Sequence, residues 1–484
     1  MALNKKQVEF WRNEMTMLDK LYQDRMTEWQ KSIDLYNNKF DKRIRDLDAS
    51  EMIKIPRFYP LVRQIIATVA FNYPRMYFTV EDDEGAGQEV SDIMERASSA
   101  FLRLAQVKPH VHQAIFDSLA CGIGWLRIDY NPPGEDAIPP YVANDALAED
   151  MAAVNRVAPG FVHVDPMTPP HHLGHARYIR ERMWVPLKSL RDDKNIKNRN
   201  QIQSSTVGKP DEMAFGEAMM DAGGATDQEA LRTAVDNGDF VLVDRIHDRM
   251  NRRLIMFADG VQDPIMDMEH PFAKVNFSMQ SDMLGRPIMD DNGQPILDLS
   301  NPEPASGWVV ENGFPFVPIK FDMSATSFYP VPHLKYIEDM QLGICESMSR
   351  QSALLKRTAR QGLVSENEVL QNPNLLDNLR KGVDGEWHAV QDIGGFRELQ
   401  YGAVPGEQYE FEDRLRSYEA QITQVNELTQ EGGGESKTAT EAGLLAASAS
   451  INREWMESRV ADAYESVVRN AFQVCLLYTS DAAD

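Results

Sequence analysis

The sequence predicts an α+β protein made of more than one compact body, on three observations. From about residue 125 to 321, short alternating apolar runs recur between Gly, Pro and Asn residues, as half-buried strands require. After residue 332 the pattern changes to long stretches with apolar residues three and four apart, the spacing of amphipathic helices. The length, 484 residues, exceeds what one ordinary hydrophobic core organises.

Residues 5–47 read as one or two helices, with Phe10, Met17, Leu18 and Leu21 on a common face. A second helical segment begins at Tyr59 and carries Leu61, Val62, Ile65, Ile66, Val69 and Ala70. Asn72-Tyr73-Pro74 ends it, because proline disfavours helix at the residue before it. Met76–Val80 reads as a short strand, and residues 88–107 as another helix. Pro109 opens a further helix whose apolar face holds Ile115, Phe116 and Leu119 beside His112. Cys121-Gly122-Ile123-Gly124 breaks that helix, and Trp125–Tyr130 alternates as a strand.

Phe161–Pro166 and Tyr178–Val185 give two more strands, and Pro186 starts a short helix. Residues 195–236 lack periodicity and are expected to form a mobile surface insertion. Val241–His247 and Arg253–Phe257 form a hairpin pair followed by a turn at Ala258-Asp259-Gly260. Residues 284–318 are expected to hold loops and edge strands. Leu334, Ile337, Ile344, Met348 and Leu355 mark a helix over 333–361. A mixed segment, 362–409, has Trp387, Val390 and Phe396 as its core.

A second long helix spans 410–430. Its Phe411, Leu415, Tyr418, Ile422, Val425 and Leu428 form a narrow stripe, which suits packing against neighbouring helices better than burial all round. Gly432-Gly433-Gly434 interrupts the chain, and helix resumes from Thr440 to about Val474. Cys475–Asp484 leaves the helical pattern. This tail resembles translated sequencing-adapter read-through and is expected to be non-native, with the true C-terminus missing.

Composition narrows the function. Apolar residues make up 43% and charged residues 26%, as in a folded chain. No run approaches the ~18 apolar residues of a membrane span, and the charged start gives no secretory signal. Fifty Lys and Arg stand against 74 Asp and Glu, a net charge of −24. That balance argues against tight DNA binding, which needs a basic footprint. Loose enclosure of a sliding duplex remains open, since a basic wall would hold DNA back. Cys121, Cys345 and Cys475 are too far apart for a recognised metal motif and read as buried thiols.

The motifs give no enzyme. Gly432-Gly433-Gly434-Glu435-Ser436-Lys437-Thr438 fails as a P-loop: Ser436 stands where Gly must precede the Lys, and a polar helix leads in where a strand should. A flexible loop between helices is the expected reading. His171, His172 and His175 follow Pro169-Pro170 without partner ligands at a recognised spacing, so they read as loop histidines. Arg350, Lys356, Arg357 and Arg360 make the end of the first long helix basic. Such charges complement the helix dipole, or line a conduit after assembly.

In order along the chain, these motifs resemble the portal proteins of tailed bacteriophages. The likeness runs through Asn72-Tyr73-Pro74, Gly122-Ile123-Gly124-Trp125-Leu126-Arg127-Ile128 and Val164-Asp165-Pro166 before the 177–183 strand. It continues through Phe314-Pro315-Phe316-Val317-Pro318 and Ser327-Phe328-Tyr329-Pro330-Val331-Pro332, then Lys437-Thr438-Ala439-Thr440-Glu441-Ala442, and covers most of residues 50–475. Each motif is weak alone; their order carries the resemblance.

The resemblance implies an elongated subunit with a mixed α/β wing over 1–332 and a first stem helix over 333–361. A small clip over 362–409, a second stem helix over 410–430 and a tunnel loop over 431–445 follow. Residues 446–474 would be a helix towards a crown that the missing C-terminus removes. Gly432, Gly433, Gly434 and Lys437 would then face DNA, and Arg380, Lys381, Asp384 and Glu386 of the clip would meet partners. The implied assembly is a homo-oligomeric ring, dodecameric in that family, at the capsid vertex of the virion and built in the host cytoplasm. Double-stranded DNA would pass through it, and the terminase, the tail adaptor, and capsid and scaffold proteins would be its partners. No cofactor, metal or membrane is expected. The alternatives are another virion structural or head-to-tail adaptor protein and, further off, a nucleic-acid enzyme.

Overall fold

The computed structural model describes residues 3–39, 52–70, 73–79, 86–131, 151–205, 240–279, 297–358, 362–364, 366, 370, 396–398, 406–423 and 439–481. Two compact units emerge. The first contains residues 1–37, 58–336 and 437–484; the second contains 38–57 and 337–436. The fold is α+β, as expected.

In the first unit, helix α1 (Lys5–Tyr36) opens with a capping box. The Asn4 side chain accepts from the Gln7 amide, and the Gln7 side-chain oxygen accepts from the Asn4 amide. Its buried face is Trp11, Met15, Leu18, Tyr22, Trp29 and Ile33. Phe10, Met17 and Leu21, expected to share a face with Leu18, are instead exposed. The two sets lie on neighbouring stripes, and the one bearing Trp11, Tyr22 and Trp29 buries more area.

Helices α2 (Phe58–Val69), α3 (Ala86–Leu104) and α4 (Val107–Cys121) follow. Gln106, at φ 47°, separates α3 from α4, so the helix expected over 88–107 ends earlier. Residues 76–79 join no strand ladder, contrary to the expectation for Met76–Val80. The Phe78 carbonyl instead accepts a hydrogen bond from Ser91 of α3.

Strand β1 (Gly124–Asn131) is the centre of a three-stranded antiparallel sheet. It lies between β2 (Met151–Val157) and a later strand over Phe316–Ile319. The 151–157 strand was not read from the sequence. The second sheet has five antiparallel strands in chain order: β3 (Val162–Val164), β4 (Tyr178–Pro186), β5 (Phe240–Asp248), β6 (Arg253–Ala258) and β7 (Met266–Glu269). The short helix α5 (Leu187–Asp192) follows β4.

Ile196 and Ile202 are buried with Val185, Val241, Val243 and Ile265, so the start of the expected mobile insertion belongs to the core. Its remainder, 206–239, lies outside the described residues. Strands β8 (Ala273–Met279) and β9 (Leu297–Trp308) form a bulged two-stranded pair, so β9 is an edge strand within the 284–318 stretch as expected, and β10 (Phe316–Ile319) closes the first sheet.

In the second unit, helix α6 (Glu338–Thr358) packs against α7 (Gly406–Thr423), and β11 (Gly362–Val364) pairs with β12 (Phe396–Glu398) in a two-stranded sheet. The last helix, α8 (Ala439–Asp481), returns to the first unit and packs on α2, β1, β2 and β10. It runs past Val474, the end that the sequence pattern predicts. Its Val460, Tyr464, Val467, Ala471 and Val474 fill the space over the sheet. Among the described residues, no helix is long and apolar enough to cross a membrane.

Candidate functional site

Three separated sequence motifs meet in the first unit. Gly122 ends α4 at φ 83°, a conformation glycine adopts without strain, and a Cβ there would collide with the Pro330 carbonyl. A Cβ on Gly124 would strike the backbone of Ala114. The glycines therefore let β1 start directly against its own preceding helix and against the 327–332 segment. Trp125 then stacks near Phe328 at 6.1 Å and 21°. Tyr329 donates to the Val162 carbonyl at 2.9 Å, and the Tyr22 hydroxyl lies 2.9 Å from the Val164 amide, which donates to it. Burial pushes the Tyr22 phenol up to about 12, so it stays neutral and able to donate. Asp165 closes the group by a two-pronged bond to Arg177, at 2.7 and 2.9 Å.

A charge system that sequence reasoning missed lies on the adjoining sheet. Glu181 of β4 is buried between Arg127 of β1 and Arg245 of β5. Burial opposes its charge, but the two guanidiniums outweigh that and hold its carboxyl well below the ordinary range. On the opposite face of β4, Arg180 is 1% exposed and joins Asp244 to Asp19 of α1. Burial raises the Asp244 carboxyl, and the neighbouring Arg180 and Arg182 more than reverse the effect. Arg156 grips buried Asp117 through two 2.7 Å bonds. These charges occupy one another and hold α1, α4 and the two sheets in register. The one sequence signal was Arg180-Glu181-Arg182 inside an otherwise apolar strand.

The second unit exposes an apolar row on α7. In α7, Glu412, Glu419 and Thr423 are buried, while Phe411, Tyr418 and Ile422 are 52%, 54% and 39% exposed. Each exposed residue directly precedes a buried one, so the exposed row lies about 100° around the helix from the buried row. Polar contacts hold the inward face. Glu419 meets Arg57 at 2.6 Å, and Gln351 of α6 donates to Glu412 at 3.3 Å. The extended chain before Arg57 is anchored to α6 as well: the Ile53 amide donates to Ser349 at 2.9 Å and the Ile55 amide to the Cys345 sulfur at 3.4 Å. The apolar row is thus left uncovered by the helix's own partner. No family model matches the chain, and no curated protein matches it.

The remaining sequence-predicted residues divide as follows. Gly432, Gly433, Gly434 and Lys437 of the expected tunnel loop, and Arg380, Lys381, Asp384 and Glu386 of the expected clip, lie outside the described residues, as do Trp387, Val390 and Arg360. Arg350 pairs with Glu346 one turn earlier at 2.8 Å, an exposed helix-surface contact. His172 accepts from the Gly174 amide through Nδ1 and stands edge-on to His175 at 4.8 Å. Among the described residues, no cluster of three His, Cys, Asp or Glu side chains could hold a metal. Cys121 and Cys345 are buried free thiols, as expected, and Cys475 is half-buried.

Proposed function

We propose that the chain is a portal subunit of a tailed bacteriophage. Copies would form a ring at the capsid vertex through which double-stranded DNA enters and leaves, docking a terminase and then a tail adaptor at the clip. The observation that carries this reading is the uncovered Phe411–Tyr418–Ile422 row on α7. A helix pair that spends polar residues on its internal contact and leaves aromatics outside needs a second copy to cover them. Heterologous contact of this row with another surface of the next subunit closes into a ring when the rotation per subunit closes. Burying these half-exposed side chains contributes about 1 kcal/mol each.

Further support comes from the meeting of the Gly122–Trp125, Val164–Pro166 and Ser327–Pro332 motifs, which are among those that carry the resemblance. The order wing, helix, small β module, helix agrees with a subunit of this type, as does the acidic charge of a wall that DNA must slide past. Native mass measurement over a range of concentrations tests the proposal. A closed high-order oligomer is expected; a monomer at every concentration, with α6 and α7 folded, would overturn it.

A further inference from the structure

The geometry points to an anion pocket in the first unit that takes a phosphate group between Lys320 and Arg459. The inference does not depend on the portal reading. The pocket is a cavity of about 360 Å³ where five segments converge, one of them carrying Phe328. Lys320 lies just beyond β10, and Arg459 and Asp462 lie on α8. His171 and His172 come from the loop before Leu173, and Glu311 from the turn before β10.

Lys320 is the unusual member. Its ammonium donates to the Pro170 carbonyl at 2.9 Å and the Phe328 carbonyl at 3.4 Å, and sits 3.9 Å from the Phe328 ring centre. Two carbonyls occupy two of its three N–H groups. No described carboxylate pairs with it, so a largely buried cation lacks a counter-charge. Burial, and then the nearby Arg459, bring it down to about 8.

Arg459 is only loosely satisfied. Its contact with Asp462 is 3.5 Å, and its guanidinium otherwise lies over the Trp455 ring at 4.1 Å. Two cations that repel each other across a cavity are both stabilised when an anion enters between them. His171 and His172 can add donors at the mouth. Glu311 and Asp462 are the opposing charges in the lining, and Asp462 is already turned to Arg459. A tetrahedral phosphate with several acceptor oxygens fits this donor set better than a single carboxylate does.

Binding should weaken as pH rises through about 8, because the lysine then loses the charge that recognises the ligand. The test is calorimetric titration of the full chain with inorganic phosphate at pH 7 and pH 9. One saturable site is expected, tighter at pH 7, with at least a tenfold loss in Lys320→Met and a several-fold loss in Arg459→Gln. Failure of the folded wild type to bind phosphate overturns the proposal, and so does equal binding by both variants. If Lys320→Met does not fold, the half-exposed Arg459→Gln decides. Competition by a short DNA duplex in the wild type assigns the phosphate to a DNA backbone; competition by a nucleoside monophosphate alone assigns it to a small ester.

Discussion

Replacing Glu181 with Gln should cost the first unit about 3 kcal/mol. The substitution keeps the side-chain volume and removes one buried charge. Glu181 is 2% exposed, and its partners Arg127 and Arg245 are 8% and 12% exposed. Breaking a buried pair from one side costs about 3–5 kcal/mol, because the other charge stays buried without a partner. Arg127 keeps Asp129 at 2.6 Å, so Arg245 is the residue left stranded, and the lower end of that range applies. At about 2 °C per kcal/mol for a unit of this size, the midpoint should fall by roughly 6 °C.

The pH dependence has a definite sign. Glu181 titrates below its unfolded value, so its contribution is complete above about pH 4.3 and is lost as pH falls through the folded value. The variant should therefore lose less stability than the wild type on acidification. Removing the stranded cation as well, in Glu181→Gln with Arg245→Met, should recover much of the loss. Urea unfolding of the wild type and the two variants is the assay. A Glu181→Gln protein within about 0.5 kcal/mol of wild type, the scale of a surface change, would refute the argument, as would a double variant no more stable than the single.

Three further outcomes are expected. Gly124→Ala should destabilise more than Gly260→Ala in urea unfolding. The first puts a Cβ into the Ala114 backbone, while the second, at φ 75° with open space around it, carries only the ~1–2 kcal/mol of a left-handed residue. Phe411→Lys and Tyr418→Lys should lower the oligomer mass without lowering the unfolding midpoint, because both side chains are exposed in the single chain; unchanged assembly in both would remove the α7 row from the interface. If the segment Gly432–Lys437, expected from the sequence to be a tunnel loop, steers DNA, then Lys437→Ala or alanine at the three glycines should shorten the DNA packaged in assembled particles, and normal packaging by both variants with intact rings would count against that role.

The elements that local pattern dictates were legible. The α4–β1 junction was marked by its glycines, the β5–β6 hairpin by alternation, and α6 and α7 by helical spacing. What failed to show depends on partners that local pattern does not reveal. Residues 76–79 have strand-like composition, but a strand needs a neighbour and the Phe78 carbonyl found Ser91 instead. Strand β2 is hard to read because its Met-Ala-Ala-Val-Asn-Arg-Val sequence lacks strong alternation. On α1 two apolar stripes compete, and spacing alone does not say which meets the sheet.

The site was legible in the same uneven way. The α7 stripe could be read because it repeats every three and four residues. The Arg127–Glu181–Arg245 and Lys320–Arg459 groups could not, since each joins residues more than fifty positions apart. A charged residue within a strand reads as solvated until its partners are seen.

Electron microscopy of the purified chain tests the ring most directly. The account predicts a closed ring with a central channel able to pass a DNA duplex, and with the Phe411–Tyr418–Ile422 row covered by the neighbouring subunit. A solid particle without a channel, or a ring whose subunits meet elsewhere and leave that row in solvent, would contradict it.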